Sequence, residues 1–111
     1  MTTATELSTK EVVQTAIEAG IAAANLADDK DTNGSEAFQY VQLFVKGNRK
    51  LQNELKEIDG VEKVVFYDYI ITAIDCGLRG YGYYKGEAFC EAVAKTLREH
   101  GISAYAKDRL L

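Results

Sequence analysis

The chain has 111 residues, 13 basic and 17 acidic side chains and a formal net charge of -4. That length holds one domain, expected to span residues 1–111, and 47% hydrophobic with 27% charged residues is an ordinary globular balance. The charge is too acidic for a general phosphate-backbone binder and too mildly acidic for a solvating tail or a DNA mimic.

No stretch reaches the roughly 18 to 20 uninterrupted apolar residues of a membrane-spanning helix. The most apolar run, Val64 to Ile74, is broken by Asp68. Residues 1–6 lack a basic start and an apolar stretch, so no secretory leader is expected and residues 1–7 read as flexible. Cys76 and Cys90 are too few for a disulfide scaffold, there is no CxxC pair, and His100 alone makes no zinc set. The expectation is a cytoplasmic protein with two reduced thiols, no metal, no cofactor and no membrane partner.

In chain order, Ser8-Thr9-Lys10-Glu11 is a capping box. Val13, Ile17, Ile21 and Ala24 follow at helical spacing, which predicts a helix over 8–27. Its small residues Ala16, Ala19, Gly20, Ala23 and Ala27 would let another element approach closely. Residues 28–34 (Asp-Asp-Lys-Asp-Thr-Asn-Gly) are turn formers and predict a solvated loop without the calcium-loop pattern.

The middle has two readings. In one, 38–46 is a strand, Gly47-Asn48 a turn with Asn48 as N-cap, and Leu51, Leu55 and Ile58 one face of a short helix. Asp59-Gly60 ends it, and 61–74 is a second strand with ten strand formers among 14 residues. In the other reading 36–58 and 61–76 are helices, giving an all-α up-and-down helical bundle. Periodicity alone does not choose between them; the β-rich composition of 61–74 favours the first.

Further on, Leu78 to Tyr84 reads as a third strand. Phe89, Val93 and Leu97 then recur every four residues in a helix from Glu87 to His100, with Glu87 in its first turn and Arg98 and His100 in its last. Gly101 stops it, and 102–107 alternates as a short strand. The resulting order over 38–107 (strand, helix, strand, strand, helix, strand) resembles the ferredoxin-like split βαβ arrangement. The resemblance is carried by two helix-to-strand handovers, Leu51…Leu55…Ile58-Asp59-Gly60-Val61…Val64 and Leu97-Arg98-Glu99-His100-Gly101-Ile102. It implies an α+β sandwich with the 8–27 helix added, and carries no activity with it.

One segment stands out chemically. Cys76 to Gly86 packs four glycines, three tyrosines and two cations into 11 residues before a helix start. Glycines can turn backbone N–H groups toward an anion, Arg79 and Lys85 can pair with phosphate or carboxylate, and tyrosine faces can stack on a base. Arg79, Gly80, Tyr81, Gly82, Tyr83, Tyr84 and Lys85 are therefore the candidate site for an anionic, nucleotide-like small molecule. The segment matches neither a phosphate loop nor a dinucleotide fingerprint, and a plain glycine-containing edge strand accounts for it too.

Catalytic signals are thin, and the sequence leans toward a non-enzymatic protein. His100 fits a surface dipole match, and Cys76 and Cys90 fit small buried hydrophobes. Asp68 is the best general-base candidate, and Asp68 and Asp75 would face opposite sides of a strand. Lys46, Arg49, Lys50 and Lys56, mixed with Glu54 and Glu57, read as a solvated face with too little basic surface for sequence-specific nucleic-acid binding. Three classes follow: a homo-oligomeric binder of an anionic small molecule at 77–86, an inhibitor- or immunity-type protein-interaction module using the same tyrosines, and, least favoured, an enzyme using Asp68 or a tyrosine. Self-association is expected from a free sheet edge on so small a domain.

Overall fold

The computed structural model describes residues 8–27, 37–64, 68–73, 75–78 and 83–110. The capping box forms as expected. The Ser8 hydroxyl accepts from the Glu11 N–H at 3.1 Å, the Glu11 carboxylate accepts from the Ser8 N–H at 2.9 Å, and α1 runs from Thr9 to Leu26. Strand β1 (Ala37–Leu43) leads through a turn at Gly47, whose φ of 84° suits glycine, to α2 (Arg49–Leu55). The Asn48 side chain accepts from the Leu51 N–H at 3.0 Å and starts that helix. There follow β2 (Val61–Val64), β3 (Asp68–Ile71), α3 (Tyr83–Glu99) and β4 (Ala104–Leu110).

The four strands form one antiparallel sheet in the order β2-β3-β1-β4. The described chain is thus a small α+β domain with three helices, and the all-α bundle reading is corrected. Residues 61–76 contain two strands, because Val61, Ile70 and Ile71 pack well on a pleated surface and lose side-chain freedom in a helix.

Side-chain alternation divides the sheet into two faces. Val41 and Leu43 of β1, Tyr69 and Ile71 of β3 and Ala104 of β4 belong to the main core with Val13 and Ala16 of α1 and Phe89, Val93 and Leu97 of α3. Burial of each large side chain contributes about 1.5–3 kcal/mol. Tyr40, Gln42, Ile70, Tyr105 and Lys107 alternate with these and belong to the other face. On α1, Gly20 is buried against Phe89 and Val93, so the small residues of that helix do admit a close neighbour.

Four further expectations are corrected. The run 61–74 is not one strand but the pair β2 and β3; nothing in Val65-Phe66-Tyr67 carries a turn signal that would have announced the return. The expected third strand at 78–84 is absent among its described members: Leu78 lies outside any strand, and Tyr83 and Tyr84 are helical. Helix α3 therefore begins four residues before Glu87, and Glu87 is not in its first turn. Finally β1 stops at Leu43 and not at Lys46, although the Phe44 N–H still donates to the Ser103 carbonyl at 2.8 Å. Residues 1–7 and the acidic turn at 28–34 lie outside the described residues. No helix among the described residues is long and apolar enough to cross a membrane.

Candidate functional site

Of the segment singled out by its composition, the structure describes the two ends. Gly77 is exposed with φ of 91°, a left-handed conformation that glycine adopts without strain. Tyr83 opens α3 and Tyr84 follows it, half-exposed at 48%. Arg79, Gly80, Tyr81, Gly82 and the Tyr83 side chain lie outside the described residues. Lys85 is partly buried, and its Nζ donates to the Ala24 carbonyl at 2.8 Å and the Ala27 carbonyl at 3.1 Å. Both carbonyls belong to the C-terminal end of α1, where Ala24 also accepts from the Ala27 N–H at 3.2 Å and where a cation opposes the helix dipole. Two of the three Lys85 donors are thus committed inside the fold.

A second group comes together at the far end of the sheet, where sequence spacing gave no hint of it. Phe44, just past β1, and Tyr105, on β4, are 42% and 49% exposed. Their ring centroids are 5.8 Å apart with planes inclined at 65°, an edge-to-face pair. The Arg98 guanidinium carbon lies 5.0 Å from the Tyr105 centroid, and Lys107 Nζ lies 5.7 Å from that of Phe44. Both separations are within cation–π range.

Antiparallel pairing of β1 with β4 explains the assembly. Gln42 stands opposite Tyr105 and Tyr40 opposite Lys107, so even-numbered β1 residues share a face with odd-numbered β4 residues. Arg98, in the last turn of α3, reaches the same place by donating through Nη1 to the Ala104 carbonyl at 2.8 Å. Among the described residues neither Arg98 nor Lys107 is paired with a carboxylate. In the sequence these four side chains span more than 60 positions, and only the β1–β4 register joins them.

The acidic groups lie elsewhere. Asp59, Gly60, Val61, Glu62 and Asp75 line an open depression of about 370 Å³. A hydrogen bond shared with Asp75, and the like charge of that residue, push the Glu62 carboxyl above its ordinary range. Such a depression repels anions. No group of three or more His, Cys, Asp or Glu among the described residues is placed to hold a metal ion. Asp68 opens β3, and its side chain lies outside the described atoms. His100 is exposed just beyond α3. Burial pushes the Cys76 thiol up to about 11 and the Cys90 thiol up to about 12, far from the range of a reactive thiolate.

Comparison with protein-family models, curated proteins and solved structures returned no match.

Proposed function

We propose that the chain is a small binding domain, and not a catalyst, that recognises an anionic ligand through the exposed Arg98, Tyr105, Phe44 and Lys107 group. The observation that carries this reading is the alternation of two cations, neither paired with a carboxylate among the described residues, with two exposed rings at one end of the sheet. Exposed aromatic and arginine side chains are the residue types on which binding energy concentrates. We further propose the ferredoxin-like arrangement with α1 added. Its support is the strand order β2-β3-β1-β4, with α2 between β1 and β2 and α3 between β3 and β4. In that arrangement helices cover one face of the sheet; on the other, Tyr40 and Ile70 are buried while Tyr105 and Lys107 are exposed.

The test is calorimetric titration with tripolyphosphate and with ATP. Binding that weakens at least tenfold in the Arg98→Gln, Lys107→Gln double variant supports the reading. Undiminished binding in that variant, or none in the unaltered protein, overturns it.

A second reading keeps the anionic small molecule at 77–86, favoured by left-handed Gly77 and exposed Tyr84 ahead of the 17-residue α3. With Lys85 engaged by α1, Arg79 is the cation on which that reading turns. Arg79→Ala is then expected to abolish small-molecule binding with an unchanged circular dichroism spectrum. The same tyrosines could serve a protein partner, in which case a complex survives dialysis of all small molecules. Self-association belongs to either reading, because β4 is an edge strand of the sheet.

A further inference from the structure

We propose that the anionic ligand of the Phe44–Tyr105 face is single-stranded nucleic acid, a proposal that rests on the reading above and names its ligand class. The surface offers two kinds of recognition side by side. The rings are 42% and 49% exposed; Arg98 lies over the Tyr105 ring and Lys107 over the Phe44 ring, so cations and remaining aromatic surface are presented together. A free phosphate would engage the cations and leave both rings in water. An acidic peptide would do largely the same. A single strand presents unstacked flat bases joined by phosphates, so one ligand meets both demands.

Nearby charge is mixed: Glu99 and Asp108 are the sequence neighbours of Arg98 and Lys107, and further cations follow Phe44. Lys46, Arg49 and Lys50 are exposed and follow Phe44 within six residues; the Cα of Lys46 lies at most about 7 Å from that of Phe44. The acidic depression is lined from the α2–β2 turn, β2 and the turn after β3, and β2 and β4 are the two outer strands of the sheet. That depression and the aromatic pair therefore lie toward opposite edges of the sheet. Sequence alone pointed away from nucleic acid on its net charge of -4 and on the sparse basic clusters along the chain. Arg98 and Lys107 join the group only through the fold.

The net charge of -4 sets the character of the interaction. The field of the whole molecule opposes a polyanion, so binding is local and short, with few ion contacts. If Arg98 and Lys107 each neutralise one phosphate, the slope of log K against log salt is about -1.4; if Lys46, Arg49 and Lys50 also engage, it is about -3.5.

The experiment is fluorescence anisotropy with short labelled oligouridylate and oligothymidylate over a salt series, beside tripolyphosphate as competitor. Tyr105→Ala is expected to weaken oligonucleotide binding about 5- to 100-fold with its salt slope unchanged, because stacking is lost and ion contacts are not. Lys107→Ala is expected to make the slope shallower by about 0.7. Tyr105→Leu, which keeps apolar area on the strand, serves if the alanine variant melts early.

Oligonucleotide binding that Tyr105→Ala and Tyr105→Leu leave untouched overturns the proposal. Tripolyphosphate binding without oligonucleotide binding also overturns it, while the broader anion reading stands. Binding of neither probe removes both.

Discussion

Gly20 of α1 sits so close to Val93 of α3 that a Cβ placed on it would lie 2.5 Å from Val93 Cγ2. The same atom would meet Phe89 Cδ1 at 2.8 Å. Both neighbours are fully buried and cannot retreat into solvent. Gly20→Ala gains about 1 kcal/mol of helix propensity but forces about 1–3 kcal/mol of overpacking. We expect the overpacking to win, with a lower urea midpoint at an unchanged m-value. A variant as stable as the unaltered protein would mean that α1 and α3 do not meet at this position.

Lys85 ties the start of α3 to the end of α1, and the two helix ends should loosen together without it. Lys85→Met keeps most of the aliphatic stem and removes the bonds to Ala24 and Ala27. Hydrogen bonds from a charged donor contribute about 1.5–3 kcal/mol, reduced here because the site is partly open to water. A loss of about 1–2 kcal/mol is expected, with amide exchange accelerating first around residues 24–27. Normal protection there would show that α1 is held by its apolar face alone.

Two carboxyls should make stability depend on pH in opposite directions. Hydrogen bonds that the Glu11 carboxylate accepts from the Ser8 N–H and from the Ser8 hydroxyl hold it below its ordinary range. Its contribution is therefore present above the unfolded carboxyl pKa and lost as pH falls through the folded one. Glu62 is pushed upward by Asp75, so its contribution is present at low pH and lost as pH rises through its raised pKa. Glu62→Gln should match or exceed the unaltered protein in thermal midpoint at pH 7, with the gain shrinking below the carboxyl range. A gain that grows with acidification would refute the Glu62–Asp75 interaction. Ser8→Ala should cost about 1 kcal/mol at neutral pH and less in acid.

The thiols should be slow. With Cys76 pushed up to about 11 and Cys90 up to about 12, little thiolate exists at neutral pH, and Cys90 is buried. Iodoacetamide labelling of the folded protein should reach Cys76 well before Cys90, and both should label at once in denaturant. Rapid native labelling of Cys90 would contradict its place in the core.

How much of this was legible in the sequence depended on the range of the interaction. Ser8 and Glu11 fixed the start of α1, and Asn48 that of α2, because a cap is a contact over three residues. The Val13, Phe89, Val93 and Leu97 stripes identified buried helix faces for the same local reason. The division of 61–74 into β2 and β3 was hidden, since a continuous apolar run states a preference for strand without saying where the chain turns back. The early start of α3 was hidden too: Lys85 is held by carbonyls 58 and 61 positions away, and those contacts outweigh the strand preference of Tyr83-Tyr84. Phe44 and Tyr105 were unremarkable residues in two separate segments until antiparallel pairing set them 5.8 Å apart. Local chemistry by itself located the helices and favoured the α+β class of the chain. Sheet register and helix packing, which bring together groups remote in sequence, decided where its exposed chemistry gathers.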